Sequence, residues 1–479
     1  MPIPFATDSR IVMTLDAGGT SLKFSAVRGN RPLIDTFSLP TEADDLDRCL
    51  GNIVRGFESM KRSLPEPPVA ISFAFPGPAD YPSGIIGDLG NLPAFRGGVA
   101  LGPMLEDKFG IPAYINNDGD LFVYGEAIAG FLPYVNGLLE EAGSPKRYRN
   151  LFGITLGTGL GGGIARDGEL FIGDNSIGGE AWLLRNKLDP GINAEEGASI
   201  RAVRGVYAQW AGIPFDQAPE PKAIFDIGMG LAPGNRRAAT EAFCRLGEVA
   251  GDAMAQALTL IDGLGVIGGG IAGAHPLFLP ALVDAVNGVY DSGQRRLVAR
   301  AYNIEDPSQR EQFLSGETRQ IRVPGSARAV VYDSLARTAI GISRLGTSEA
   351  VAIGAYAFAC GAFSPKSRDI SPDGVDLFLG WPYAAAVLVF AVATLLWVLF
   401  LLPGGRPRRL ASVIQLGGLP RPRTLASASL SRLSMADWSR RRSAFSSSRI
   451  LATSIYYLPS EIRDQLIPNW NIRSILRLF

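Results

Sequence analysis

Apolar and polar positions fall into short blocks over about the first 360 residues, and the period changes from block to block. Residues 10–29 (RIVMTLDAGGTSLKFSAVRG) read as an apolar run, a Gly-Gly turn and a second β-prone run, which predicts strand, turn, strand. A helical segment follows (DDLDRCLGNIVRGFESMKRSL), then a strand ending in a turn (VAISFAFPGPAD), then FGIPAYINNDGDLFVYGEAIAGF, a strand running into a helix at Asn117-Asp118. Residues 151–155 (LFGIT) predict another strand, and the chain then turns mainly helical through Thr259, most clearly in GEVAGDAMAQALTLI. GLGVIGGGIAGA reads as a strand, three glycines and a helix, and residues 347–359 (TSEAVAIGAYAFA) as a final helix with small residues on one face, a sign of close packing or tight ligand approach. Residues 283–340 carry mixed charge and no clear period beyond a strand pair around RQIRVPGSARAVVYD. Strands alternating with helices imply α/β layers around a central sheet.

The stretch LGTGLGGGIARDGELF contains Gly157, Gly159 and Gly162 in the spacing G-x-G-x-x-G. A dinucleotide fingerprint needs a helix after the glycines, but here Asp167-Gly168 joins two short apolar runs, a two-residue hairpin signal. The glycines therefore belong to a strand-turn-strand. Without Cβ atoms, Gly157, Thr158 and Gly159 can bring backbone N–H groups close to an anion; taken alone, the stretch fits an ordinary β-meander turn as well. The same style of turn occurs at residues 16–20, about 140 residues earlier, which suggests two related halves.

The charges balance at 46 basic and 46 acidic residues, but from Gly404 onward there are thirteen Arg, no Lys and three acids. The acidic body this leaves does not suggest a nucleic-acid partner, whose footprint is a basic patch on the folded domain. Cys49, Cys244 and Cys360 lie far apart and form neither a disulfide framework nor a zinc knuckle, and the single His275 has no ligand neighbours, so zinc is not expected. The N-terminus lacks the basic and apolar regions of a signal peptide, which fits a cytoplasmic chain. Residues 377–402 carry no charge and are long enough to span a bilayer, with Trp381 and Tyr383 at their start, so membrane insertion is favoured over a buried core helix. Arg406, Arg408 and Arg409 beyond the run would instead place its far side in the cytosol, in conflict with a cytoplasmic body for a single span. The tail 403–479 is expected to be poorly ordered.

Five marked segments stand in order: Asp16-Ala17-Gly18-Gly19-Thr20, Asn117-Asp118, residues 156–163, Gly178-Gly179-Glu180, and Gly268-Gly269-Gly270. Together with PGPAD, NLPAF, EEGAS and AIGAYAFA they resemble the ROK family of sugar kinases and sugar-responsive repressors, part of the actin-like ATPase and sugar-kinase superfamily. The resemblance covers about residues 10–360. It implies a two-domain α/β fold of the actin-like (ribonuclease H-like) kind, with domains over 1–125 and 126–345, a closing helix over 346–364, and the hydrophobic segment as an addition. The glycine stretch is then a phosphate hairpin rather than a Rossmann loop. Asp118, at a strand-to-helix junction where the helix dipole favours its ionised form, matches the family's catalytic base, which takes the proton of a sugar hydroxyl as that oxygen attacks the γ-phosphate of ATP. The resemblance also implies sugar-binding roles for Asn117, Glu180 and Glu195, with Glu196 an alternative in register. It implies Mg²⁺ held through water by Asp16, with Gly18, Gly19 and Thr20 close to the phosphates and Gly268, Gly269 and Gly270 against adenosine.

Departures from the family pattern bear on the substrate. Leu183 stands where the family has a histidine, the loop NKLDPGINAEEGAS has no cysteine, and Asp120 replaces a more usual Asn. The expected activity is ATP-dependent phosphorylation of a hexose or hexose derivative, with homodimerisation left open. Two other readings compete: a repressor, disfavoured because only about ten residues precede the first strand, and a membrane-tethered sugar sensor, disfavoured because both Asp16 and Asp118 are present.

Overall fold

The computed structural model describes residues 5–77, 79–87 and 93–362. The first part of the chain supplies β1 (Val12–Ala17), β2 (Ser21–Arg28), β3 (Arg31–Pro32), β4 (Phe37–Pro40), α1 (Leu46–Ser63), β5 (Ala70–Ala74), the small pair β6 (Ala79–Asp80) and β7 (Ile85–Ile86), α2 (Leu101–Phe109) and β8 (Ala113–Asn116). Next come α3 (Asp118–Ile128), α4 (Phe131–Glu141), β9 (Leu151–Leu156), β10 (Leu160–Arg166) and β11 (Glu169–Leu170). Helices α5 (Ile200–Ala211), α6 (Pro221–Met229) and α7 (Arg236–Ile261) lead to β12 (Leu264–Gly268) and α8 (His275–Val286). The last elements are β13 (Arg300–Asn303), α9 (Pro307–Ser315), β14 (Thr318–Arg322), β15 (Ala329–Asp333), β16 (Arg337–Ile342) and α10 (Thr347–Ala362).

Two sheets repeat one plan. In the first, the order is β3-β2-β1-β5-β8, with β4 also on β2; in the second it is β11-β10-β9-β12-β16-β13. Each opens with an antiparallel hairpin, β1–β2 or β9–β10, and continues through parallel strands on the hairpin's first strand. The related halves suggested by the two glycine turns are thus related in topology. The central parallel strands β5 (AISFA) and β12 (LGVIG) are buried throughout, as strands covered on both faces must be. Asp167 and Gly168 both adopt positive φ (51° and 81°), the turn that Asp-Gly favours between β10 and β11.

The core lies in three parts. Phe24, Phe57 and Phe73 pack α1 and α2 onto the first sheet. Phe243, Phe278 and Ile267 pack α7 and α8 onto the second. The third part holds Phe122, Phe131, Val266 and Tyr356, where α3 lies against β9, β10 and α10, and α10 in turn covers β1 and β5. The small-residue face of α10 is a packing face: a Cβ on Gly354 would overlap the Leu121 carbonyl, and one on Gly125 the Ala350 carbonyl. The boundary expected at residue 125 falls inside α3, whose main strand contacts, β9, β10, β11 and β12, all belong to the second sheet. No helix among the described residues is long and apolar enough to cross a membrane. The run 377–402 and the tail 403–479 lie outside the described residues.

Candidate functional site

The end of β8, the N-terminus of α3, the β9–β10 turn and the segment after β12 meet at one cleft of about 710 Å³. Asn117, Asp118, Gly157, Thr158, Gly159, Glu180, Glu195 and Gly269 all line it. Asn117 caps α3: the Gly119 amide donates to its Oδ1 at 2.8 Å, and its amide reaches the Tyr81 hydroxyl at 3.5 Å. Capping by Asn117 leaves Asp118 as the first residue of the helix. Oδ1 of Asp118 also accepts from the Gly119 amide at 2.8 Å, and the residue is exposed at the cleft with no side-chain donor to its carboxylate among the described residues. A carboxylate oxygen at the cleft surface can accept a proton from a ligand.

The helix dipole and the Gly119 amide favour the ionised form of Asp118, while desolvation by the surrounding cleft walls, with the nearby Asp16, raises its carboxyl above the ordinary carboxylate range. Such a shift moves a carboxylate towards the working pH of a general base.

On the opposite wall, the Leu160 amide donates to Glu195 Oε2 at 3.1 Å, while Arg201 lies 3.9 Å from Glu195 and makes its shorter pair, 2.7 Å, with Glu196. Of the two neighbouring acids, Glu195 therefore faces the cleft. The Trp182 indole donates to Glu180 Oε2 and fixes that carboxylate. Trp182, Thr347 and the Pro76-Gly77 turn also line the cleft, and sequence reasoning missed them. PGPAD offered a signal for the turn, whereas nothing local marks Trp182 or Thr347. Leu183, in the place of the family's histidine, also lines the cleft and is 60% exposed.

The glycine turns fit a phosphate-bearing ligand unequally. A side chain at Gly159 would displace the Glu195 carboxylate, whereas one at Gly269 (φ +87°) would collide with the Leu156 backbone, so the second approach requires glycine. Gly268 is packed under the Phe122 ring and Gly270 is exposed; neither lines the cleft. Gly18, Gly19 and Thr20 form an exposed turn, closed by the Gly18 amide donating to the Ser21 carbonyl at 3.0 Å and the Thr41 hydroxyl to the Gly18 carbonyl at 2.6 Å. Asp16 lines a neighbouring cavity of about 250 Å³ that shares Val351 with the main cleft. Its ion pair to Lys23 is long, 3.8 Å, and its side chain is 42% exposed, which leaves oxygens to face a hydrated cation.

Asp120 is 2% exposed, and its Oδ1 has no hydrogen-bond partner among the described residues. Burial, then the charges of Glu180 and Asp118, push its carboxyl well above the ordinary range. A group with a raised folded-state pKa favours folding at pH below its unfolded value, and that contribution disappears as pH rises towards the folded value. Asp120→Asn, neutral and isosteric, should therefore unfold at a higher temperature than the parent at pH 8, with the difference shrinking towards pH 4. Thermal melts across that range check it; equal melting temperatures at pH 8 would count against a strained Asp120.

The family model for the ROK family matches residues 12–309. A glucokinase from Parabacteroides distasonis, known by its solved structure, is 53% identical, with a TM-score of 0.70, over 75% of this chain and 99% of that one. The chain belongs to the ROK family. Its two sheets are the actin-like α/β fold of ROK sugar kinases. Among curated relatives, an N-acetyl-D-glucosamine kinase from Photobacterium profundum is 29% identical over 39% of this chain, and a beta-glucoside kinase from Klebsiella pneumoniae is 27% identical over 49%. The match to the N-acetyl-D-glucosamine kinase spans 56% of that protein's length.

Proposed function

We propose that this ROK protein transfers the γ-phosphoryl group of ATP to a hydroxyl of a hexose or hexose derivative, releasing ADP. The observation that carries this reading is the cleft that joins Asp118 and three further polar side chains to the Gly157–Gly159 turn and Gly269. The similar proteins named as sugar kinases support it. In this reading the sugar lies among Asn117, Glu180 and Glu195, whose amide and carboxylate groups suit polyol hydroxyls. Oδ2 of Asp118 accepts the hydroxyl proton as the sugar oxygen bonds to phosphorus and the bond to the ADP oxygen breaks. The backbone N–H groups around Gly157–Gly159 orient the phosphates, and Gly269 lets the nucleotide approach the main chain. Gly18, Gly19 and Thr20 border the phosphates on the Asp16 side, and Gly268 and Gly270 support the nucleotide wall.

Asp16 is the residue that would hold Mg²⁺ through water. When bound, that ion neutralises charge on the phosphates. The lobes are taken as 1–125 and 126–345, closed by 346–364, and the use of ATP places them in the cytosol. A coupled ADP-release screen over hexoses and amino sugars tests the proposal; no sugar-dependent ADP release from any of them would reject it.

Trp182→Phe removes the hydrogen bond that fixes Glu180. The sugar KM should rise roughly tenfold with kcat changed much less, the signature of lost ground-state positioning. Steady-state kinetics on the best sugar of the screen check this, and an unchanged KM would separate Glu180 from the sugar.

A further inference from the structure

Glu126 lies two turns beyond Asp118 on α3, fully buried and outside the cleft. Four groups donate to its carboxylate. The Phe131 amide (2.7 Å) and the Arg344 amide (3.2 Å) reach Oε2; the Leu345 amide (3.1 Å) and the Ser343 hydroxyl reach Oε1. Three of these donors belong to the short connection between β16 and α10. Ser343 passes the link on, since its hydroxyl also accepts from the Gly346 amide at 2.8 Å. The next residue, Thr347, accepts from the Gly269 amide at 2.8 Å, and Thr347 and Gly269 both line the cleft. Arg344 is held besides by Glu305 at 2.9 Å, and the Ile342 amide donates to Glu305 at 2.8 Å.

We propose that Glu126 is a positioning residue that holds the Gly269–Thr347 wall of the cleft in register with Asp118 on its own helix. This rests on the proposed kinase reading, in which Gly269 faces the nucleotide. A buried carboxylate is acceptor-only and satisfies four donors at once, whereas glutamine would turn an NH₂ group towards at least one of them. The connection would then relax, and with it the Thr347 oxygen that fixes the Gly269 amide. The sugar side, built on Asn117, Glu180 and Glu195, takes no hydrogen bond from this network.

The test is calorimetry of the full chain with a non-hydrolysable ATP analogue and Mg²⁺, and separately with the best sugar of the screen. Glu126→Gln should weaken the analogue about tenfold and raise KM for ATP to match, with sugar Kd within twofold. Ser343→Ala should act in the same direction by a smaller factor, and adding it to Glu126→Gln should cost little more. Variants that melt earlier but keep both affinities would overturn the proposal, as would equal weakening of sugar and nucleotide. If Glu126→Gln does not fold, Ser343→Ala decides alone: weaker analogue binding supports the role and unchanged binding refutes it. A parent chain that does not bind the analogue would refute the kinase reading itself, and this inference with it.

Discussion

Asp118→Asn is expected to lower kcat by about two decades or more, in the range assigned to general acid–base groups, while sugar Kd changes little. Asparagine keeps the size of the side chain and can still accept from the Gly119 amide, so α3 should start where it does in the parent. What it lacks is the oxygen that takes the proton. The parent should also show an acid limb in kcat/KM set by Asp118. Because desolvation by the cleft walls and Asp16 raise that carboxyl, activity should fall on acidification at a pH above the ordinary carboxylate value and level off as pH rises past it. Asp118→Asn should lose this limb. Turnover within tenfold of the parent would remove Asp118 from the chemistry.

Gly354→Ala is expected, like Gly125→Ala, to be among the most damaging single-methyl changes in the two packed helices. The added Cβ would overlap the Leu121 carbonyl oxygen, a backbone atom on α3 that cannot rotate away. Overpacking usually costs 1–3 kcal/mol, and backbone overlap places this case at about 3 kcal/mol. Since α3 carries Asp118 at its first turn and Glu126 further along, pushing α10 away should disturb both walls of the cleft. A denaturant titration should show a much lower midpoint than the parent. An unchanged midpoint would mean that α3 and α10 do not meet on these glycines.

Much of this arrangement is legible in the chain because turn chemistry is local. Asp167-Gly168 and Gly18-Gly19 announce their hairpins within a few residues, and the run from β8 into α3 is marked by Asn117 as cap. What stayed hidden depends on partners far away in sequence. Strand β16 begins with Arg337, whose guanidinium is fully buried by donating to the Phe313 carbonyl (2.6 Å) and pairing with Asp333 (2.5 Å), so its first position reads as polar. The short strand β13 and the helix α9 share that mixed-charge region and show no apolar stripe. Burial on all sides of α3 beyond its first residue likewise hid the role of Gly125. In the cleft, glycine and acid motifs marked the chemistry, but the tryptophan that fixes Glu180 and the threonine that fixes Gly269 carry no motif of their own.

The most direct test of the central claim is to follow ATP, Mg²⁺ and the best-binding sugar with the full chain by ³¹P NMR. The account predicts a new phosphomonoester signal growing in step with ADP, at one equivalent each, and no growth with Asp118→Asn on the same timescale. ADP appearing with free phosphate and no sugar phosphate, or sugar binding with neither product, would contradict it.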